Sequence, residues 1–325
     1  MGATNRLLLA AVLAVLAITC GPVLAQNFPT KPIRIVVPFP PGGTTDVVAR
    51  LVAQRFTESM KQPVVVDNRG GAGGALGADI VAKSAPDGYT LLMANITFPL
   101  SSVAQTLAKR SPFNAETDFA GVSIAVYVPF VITAHPSVPA RDLRELATLL
   151  QTRKLQYNYG STGPGSVMHV IGETFKRDAQ VDMAHIAFKG AAPLKLDLLS
   201  GRIQIGGDQL STSLAEVRAG QLKALATNGS KRIAILPDVP TVREQGYASL
   251  EFEGWNGLLA PAKTPRAVIE KLQRETAAAV RHPDVQKRFS DLGAEPVGSS
   301  SQQQTAIVLQ QMKQFTPVIR EMKLD

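Results

Sequence analysis

The sequence predicts an α/β protein built as two lobes with a ligand cleft between them. Three observations predict it. The stretch Ile33 to Phe56 reads as strand, Pro-Gly loop and helix, and the same construction returns at Leu155 to Lys176, about 120 residues further on. Around these units, short apolar segments alternate with helical ones, the pattern of parallel sheets with crossover helices. The chain is 325 residues with 45% hydrophobic and 18% charged residues, an ordinary globular composition with room for about two domains.

Residues 1–25 stand apart from both lobes. Arg6 precedes a run of 12 apolar residues, Leu7 to Ile18, and Val23-Leu24-Ala25 puts small residues before a cut that leaves Gln26 first. The run is shorter than the ~20 residues a membrane span needs, so a cleaved secretory signal peptide is expected. Cys20 is the only cysteine. It raises the alternative of a lipidated cysteine, but Thr19 fits that processing poorly. Without Cys20 the exported chain has no thiol and no disulfide, which suits the bacterial periplasm.

The first unit starts with an apolar strand from Ile33 that ends at Phe39. Pro40, Pro41, Gly42 and Gly43 cannot continue it, and Thr44, Thr45 and Asp46 are N-cap or first-turn residues of the helix that follows. Free N–H groups and the positive helix end there form a site for a small anion. Val64 to Asp67 is a second strand, and Asn68 to Gly74 a glycine-rich loop before a helix from Ala75 to Lys83. That loop fails the dinucleotide fingerprint, because Leu76 stands where the third glycine belongs. Tyr89 to Ala94 is a third strand. Asn95 to Pro99, containing Thr97, is a loop at its carboxyl end, where α/β ligand sites lie. Leu100 to Lys109 is a helix, Ile124 to Thr133 a single strand, and Arg141 to Gln151 a helix.

In the second unit a short strand enters the loop Gly160 to Ser166, which holds Ser161 and Gly163, and a helix begins near Ser166. Two such loops facing one another would offer backbone donors from both sides. The plainer alternative is two ordinary βα turns. His185 to Phe188 is a strand, and Gly190 and Ala191 open a helix that runs to Leu199. Ile203 to Gly206 leads to Asp208, Ser213 to Ala219 is a helix, and Leu222 to Thr227 a strand. Trp255 to Pro261 is a strand-like return. Helices at Pro265 to Arg281, Pro283 to Leu292 and Ser301 to Lys323 complete the chain.

The net charge is +8, but the basic residues are scattered and aromatics make up only 6%. No nucleic-acid partner is expected, since that needs a clustered basic stripe. The four histidines form no HExxH pair, and neither a Walker loop nor a G-x-S-x-G elbow is present. No metal and no cofactor are expected. Ser166, His169 and Asp208 could make a hydrolase triad, which keeps open a secreted α/β enzyme acting on a carboxylated substrate. Ser166 is equally placed to cap its helix, with His169 a packing or hydrogen-bonding residue behind the loop.

Several segments together resemble the Bug, or tripartite tricarboxylate transporter, family of periplasmic solute-binding proteins. They are Pro38 to Asp46, Asn68 to Gly74, Ala85 to Tyr89, Tyr159 to His169, Phe188 to Pro193, Leu236 to Thr241 and the Trp255 segment. The resemblance implies a clamp similar to type 2 periplasmic binding proteins, with lobe 1 from residues 26–128 plus 251–325 and lobe 2 from 129–250. It implies a small organic carboxylate ligand (a di- or tricarboxylate, an amino acid or an aromatic acid), membrane permease subunits or a sensor as partners, no catalytic role, and a monomer. With the loops above it gives a candidate ligand set of Phe39, Gly42, Gly43, Thr44, Asp46, Thr97, Ser161, Gly163, Ser166, His169, Gly190, Ala191 and Asp208. Asp208 is expected to face the ligand. Two departures, the Asn95 to Leu100 loop and Gly206-Gly207, are expected to change the shape of the pocket.

Overall fold

The computed structural model describes residues 28–153 and 157–322. The expected signal peptide and Cys20 lie outside the described residues.

Two sheets form two lobes. The first contains β1 (Ile33–Val37), β2 (Val64–Asn68), β3 (Thr90–Asn95), β4 (Phe119–Tyr127), β10 (Trp255–Pro261) and β11 (Glu295–Pro296), in the order β11-β4-β10-β3-β1-β2. The second contains β5 (Phe130–Ala134), β6 (Asn158–Ser161), β7 (Ala184–Ala187), β8 (Ile205–Gln209) and β9 (Lys223–Thr227), in the order β7-β6-β8-β5-β9. β1 is parallel to β2 and β3, whereas β10 is antiparallel to both its neighbours.

β1 shows why the apolar run becomes a central strand. Ile33, Ile35 and Val37 face one side, where they pack with Val48, Val52 and Phe56 of α1 (Thr44–Met60) and Leu272 of α8 (Arg266–Arg281). Val36 faces the other side, with Ala78 of α2 (Ala75–Ala82), Val103 of α3 (Thr97–Leu107) and Val308 of α10 (Ser301–Glu321). Alternate residues serve opposite faces, and both faces are covered. Each fully buried aliphatic side chain contributes about 2 kcal/mol. Helix ends follow their local signals. Ser300 and Gln303 form a capping box on α10, and His282 accepts the Asp284 N–H at the start of α9 (Pro283–Asp291). Trp255 is fully buried and its Nε1 donates to Gln311 Oε1 at 2.9 Å, tying β10 to α10.

The expected single strand Ile124 to Thr133 is two strands in two sheets. Pro129 carries no N–H for a ladder, and Val128 N donates instead to Gly254 O at 2.8 Å. A Cβ on Gly254 would lie 2.4 Å from Val128 O, so the outward and return crossings run side by side and only glycine fits. Apolar packing continues across them, with Phe130 and Phe252 ring centroids 5.9 Å apart and Phe252 and Phe315 6.0 Å apart.

Two further differences concern the cleft. The expected loop Asn95 to Pro99 is mostly the first turn of α3, which begins at Thr97. Pro99 is tolerated there because first-turn N–H groups have no partner within the helix. β8 extends to Gln209, so Asp208 lies inside the strand rather than beyond it. Gly206 and Gly207 do not enlarge the pocket. A Cβ on Gly207 would lie 2.7 Å from Val131 O and 3.0 Å from Met168 Sδ, and one on Gly206 3.2 Å from Leu198, so core groups already fill that space. Among the described residues, no helix is long and apolar enough to cross a membrane.

Candidate functional site

A cleft of about 340 Å³ lies between the lobes, at the small end of the range for ligand sites. Its first wall is the turn after β1. Gly42 has φ +88°, a left-handed conformation that favours glycine. Gly43 is the N-cap of α1 at φ −79°, and no side chain caps the helix. A Cβ on either glycine would meet nothing within 4 Å, so the backbone borders open space. Thr44 and Thr45 begin the helix and both line the cleft.

The facing wall is the start of α6 (Ala191–Leu199). Its N-cap is Gly190 at φ +112°, again without a capping side chain, followed by Ala191, Ala192 and Pro193. A Cβ on Gly190 would lie 3.3 Å from Pro40 Cγ, so the walls touch at this rim. Thr97, Asn95, Thr162, Asp208, Gln209, Ser211 and Thr212 complete the lining. Thr97 N donates to Asn95 Oδ1 at 2.9 Å.

Asp208 is the only carboxylate among the lining residues. Burial pushes its carboxyl up to about 6, against the lowering effect of the Gln209 N–H that it accepts at 2.8 Å. Two cations reach the cleft although neither glycine loop carries one. Lys189 is exposed at the rim. Lys195 Nζ is held by Glu216 Oε1 at 2.7 Å and Thr212 O at 3.1 Å. Burial pushes the Glu216 carboxyl up, and the Lys195 hydrogen bond and charge, together with a backbone N–H, outweigh that and hold it below its ordinary value.

Of the candidate residues, Phe39, Gly42, Gly43, Thr44, Thr97, Gly190, Ala191 and Asp208 meet in this lining, and five others do not. Asp46 is turned inward, where its oxygens accept from Gly42 N at 3.0 Å, from Arg50 Nη2 at 2.9 Å and from Asn68 Nδ2 at 2.9 Å. The second glycine loop satisfies itself. Gly163 N donates to Ser161 Oγ at 3.2 Å, Ser166 N to Gly163 O at 3.1 Å, and Gly165 N to His169 Nδ1 at 3.0 Å. Ser161, Gly163, Ser166 and His169 are thus behind the wall, and only Thr162 of that loop reaches the cleft. The helix start that faces the first wall is the Gly190 turn.

The triad does not assemble. His169 Nδ1 is occupied by Gly165 N–H, the Ser166 hydroxyl is buried without a partner, and Asp208 is bonded to Gln209 N. Ser166 is the N-cap of α5 (Val167–Ala179), yet its side chain makes no capping bond. His169 stacks on His185 with ring centroids 3.9 Å apart. Among the described residues no group of three or more His, Cys, Asp or Glu could hold a metal ion. Thr45, Asn95, Lys189, Gln209 and Ser211 are lining residues outside the candidate set. Four of them adjoin a named candidate by one or two positions, and Ser211 by three.

The family model for the tripartite tricarboxylate transporter family receptor matches residues 48–324. Protein BugT of Bordetella pertussis is 35% identical over 320 residues, 98% of each chain. MatC of Rhodopseudomonas palustris, solved with bound malate, superposes with TM-score 0.83 at 32% identity, covering 90% of this chain and 100% of that one. A second Rhodopseudomonas palustris protein, solved with adipate, gives TM-score 0.80 at 30% identity, covering 90% and 97%.

Proposed function

The chain belongs to the tripartite tricarboxylate transporter receptor family of periplasmic solute-binding proteins, and from that premise we propose that it captures a small organic carboxylate between its lobes for a membrane permease or a sensor. The observation that carries the reading is the pair of opposed helix starts. α1 and α6 face one another across the cleft, neither is capped by a side chain, and both begin at glycine. First-turn N–H groups without intrahelical partners, at the positive ends of two dipoles, suit carboxylate oxygens. The malate and adipate carried by related structures agree with that chemistry.

In this reading Gly43, Thr44, Gly190 and Ala191 contribute backbone to the ligand. Phe39 and Pro40 cover its apolar part, Thr97 contacts its polar end, and Asp208 accepts a hydrogen bond from a hydroxyl, an ammonium or a bridging water. The lobes are residues 26–128 with 251–325, and 129–250, in a monomer exported by a signal peptide cut before Gln26. A thermal-shift screen against mono-, di- and tricarboxylates, amino acids and aromatic acids tests it. A ligand present at 100 times its dissociation constant adds about 2.7 kcal/mol of stability. A sugar or amine that raises the melting temperature, with no carboxylate doing so, overturns the reading.

A further inference from the structure

We propose that a buried side-chain ladder and one hydroxyl pair form a latch that favours the closed lobes through direct protein contacts, with Asn256, Gln209 and Ser211 as positioning residues. The ladder begins in the first lobe. Asn95 Nδ2 donates to Thr45 Oγ1 at 2.9 Å, and that hydroxyl donates to Asn256 Oδ1 at 2.9 Å. Asn256 lies on β10, just past the return crossing. Its Nδ2 then donates to Gln209 Oε1 of β8 at 3.2 Å, which carries the ladder into the second lobe. Thr45, Asn256 and Gln209 are 4%, 0% and 3% exposed. Beside it, the hydroxyls of Thr44 and Ser211 are 2.5 Å apart across the cleft.

The ladder has a direction. Each hydroxyl or amide in it is oriented by its neighbour: Asn256 Oδ1 accepts from Thr45, which leaves its Nδ2 to donate to Gln209. The same residues set the first turn of α1, since Thr45 is held by Asn95 on one side and Asn256 on the other. The latch thereby couples the placement of that turn to lobe closure. Opening the hinge separates Asn256 from Gln209 and Thr44 from Ser211, and leaves the Asn95–Thr45–Asn256 part intact in the first lobe. The rims also fit only because glycine is present. A Cβ on Gly165 would lie 2.8 Å from the Ala104 Cβ of the other lobe. A latch that raises the closed fraction raises ligand affinity by the same factor, because only that fraction is ready to bind tightly.

The test uses the absence of other thiols. In the chain carrying Cys20→Ser, with spin labels at Gln54→Cys on α1 and Ala219→Cys in the second lobe, electron–electron distances report the lobe separation. The measurement needs no ligand, so its outcome is independent of the carboxylate screen. We expect a major short-distance population, reduced about threefold by Ser211→Ala or by Gln209→Ala and about tenfold by both together. Ser211→Thr, which keeps a hydroxyl, restores it. A purely structural role would lower the melting temperature and leave the distances unchanged. Identical distances in all variants, or only the long distance in the parent chain, overturn the proposal.

Discussion

The Asp46 carboxylate accepts the Gly42 N–H at 3.0 Å, reaching back from the first turn of α1 into the loop that precedes it. Asp46 is 3% exposed and also accepts from Arg50 and Asn68. Burial pushes its carboxyl up, but those hydrogen bonds outweigh it and hold it below its ordinary value. With its folded value depressed, its contribution is present above the ordinary carboxylate range and is lost as pH falls through the folded value. Asp46→Ala strips a backbone N–H and the Asn68 amide of their acceptor and is expected to cost about 1–3 kcal/mol. Urea denaturation of that variant beside Asp46→Asn, which retains one acceptor, measures the loss.

Gly42 and Gly43 separate conformation from space. Gly43 has an ordinary φ and open space before it, so Gly43→Val should fold with a near-parental melting temperature and place a branched side chain in the cleft. Loss of calorimetric binding of the carboxylate found in the thermal screen is the expected result. Gly42 has φ +88°, so Gly42→Ala is expected to cost about 1–2 kcal/mol of stability wherever the ligand sits.

Asp208 is expected to weaken the fold while strengthening ligand binding. Burial pushes its carboxyl up to about 6, from an ordinary value of about 3.9. Between those values the folded chain holds a proton that the unfolded chain has lost, so stability falls as pH rises from about 4 to 6. Asp208→Asn removes that fall. Allowing for partial contact with water, the gain is roughly 1–3 kcal/mol at pH 7 and close to nothing at pH 4. The same variant should bind ligand more weakly by about 1–3 kcal/mol. Denaturation midpoints and calorimetric affinities from one preparation check both signs.

The stacked histidine pair sets an opposite trend. Burial first, then the stacked His185, hold His169 down to about 4, with Lys176 lowering and Glu173 raising it. Burial holds His185 down as well. An unfolded imidazole takes its proton below about 6.5, so stability is full above that pH and falls as pH drops toward 4. His169→Asn keeps an acceptor for the Gly165 N–H and cannot be protonated. It should flatten the acid limb between pH 6.5 and 4.5 when compared in an Asp208→Asn background, where the opposing titration is absent.

The strand, turn and helix start at Ile33 to Asp46 were legible because Pro-Pro-Gly-Gly between an apolar strand and Thr-Thr-Asp leaves few conformations open. The second glycine loop, apart from Thr162, does not line the cleft, and the reason is physical. Gly160 to Ser166 has the same composition, but Ser161 and His169 occupy its N–H groups, and no composition reports which amides are already bonded. Asp46 misled in the same way, since an acid in a first turn reads identically whether it faces a ligand or its own loop. The crossing between the sheets was hidden by an apolar run in which Val128-Pro129 was the only break. Asn256 carried no local signal at all, because its partners come from Thr45 and Gln209, distant in sequence. The expected signal peptide lies outside the described residues.

The position of β10 has a consequence for the order in which the molecule can be assembled. It is an interior strand of the first sheet, between β3 and β4, yet it is encoded after the whole of the second sheet. As the chain emerges amino end first, β3 keeps one bare edge until residue 261 arrives, and β4 keeps both, because its other neighbour β11 is encoded later still. The second sheet, encoded continuously from residue 130 to 227, has no such wait. A fragment stopping at residue 250 should therefore contain a complete second lobe and a first sheet reduced to β2-β1-β3, with β4 left unpaired. Its unpaired edges, not its loops, would be where such a fragment adheres to its neighbours.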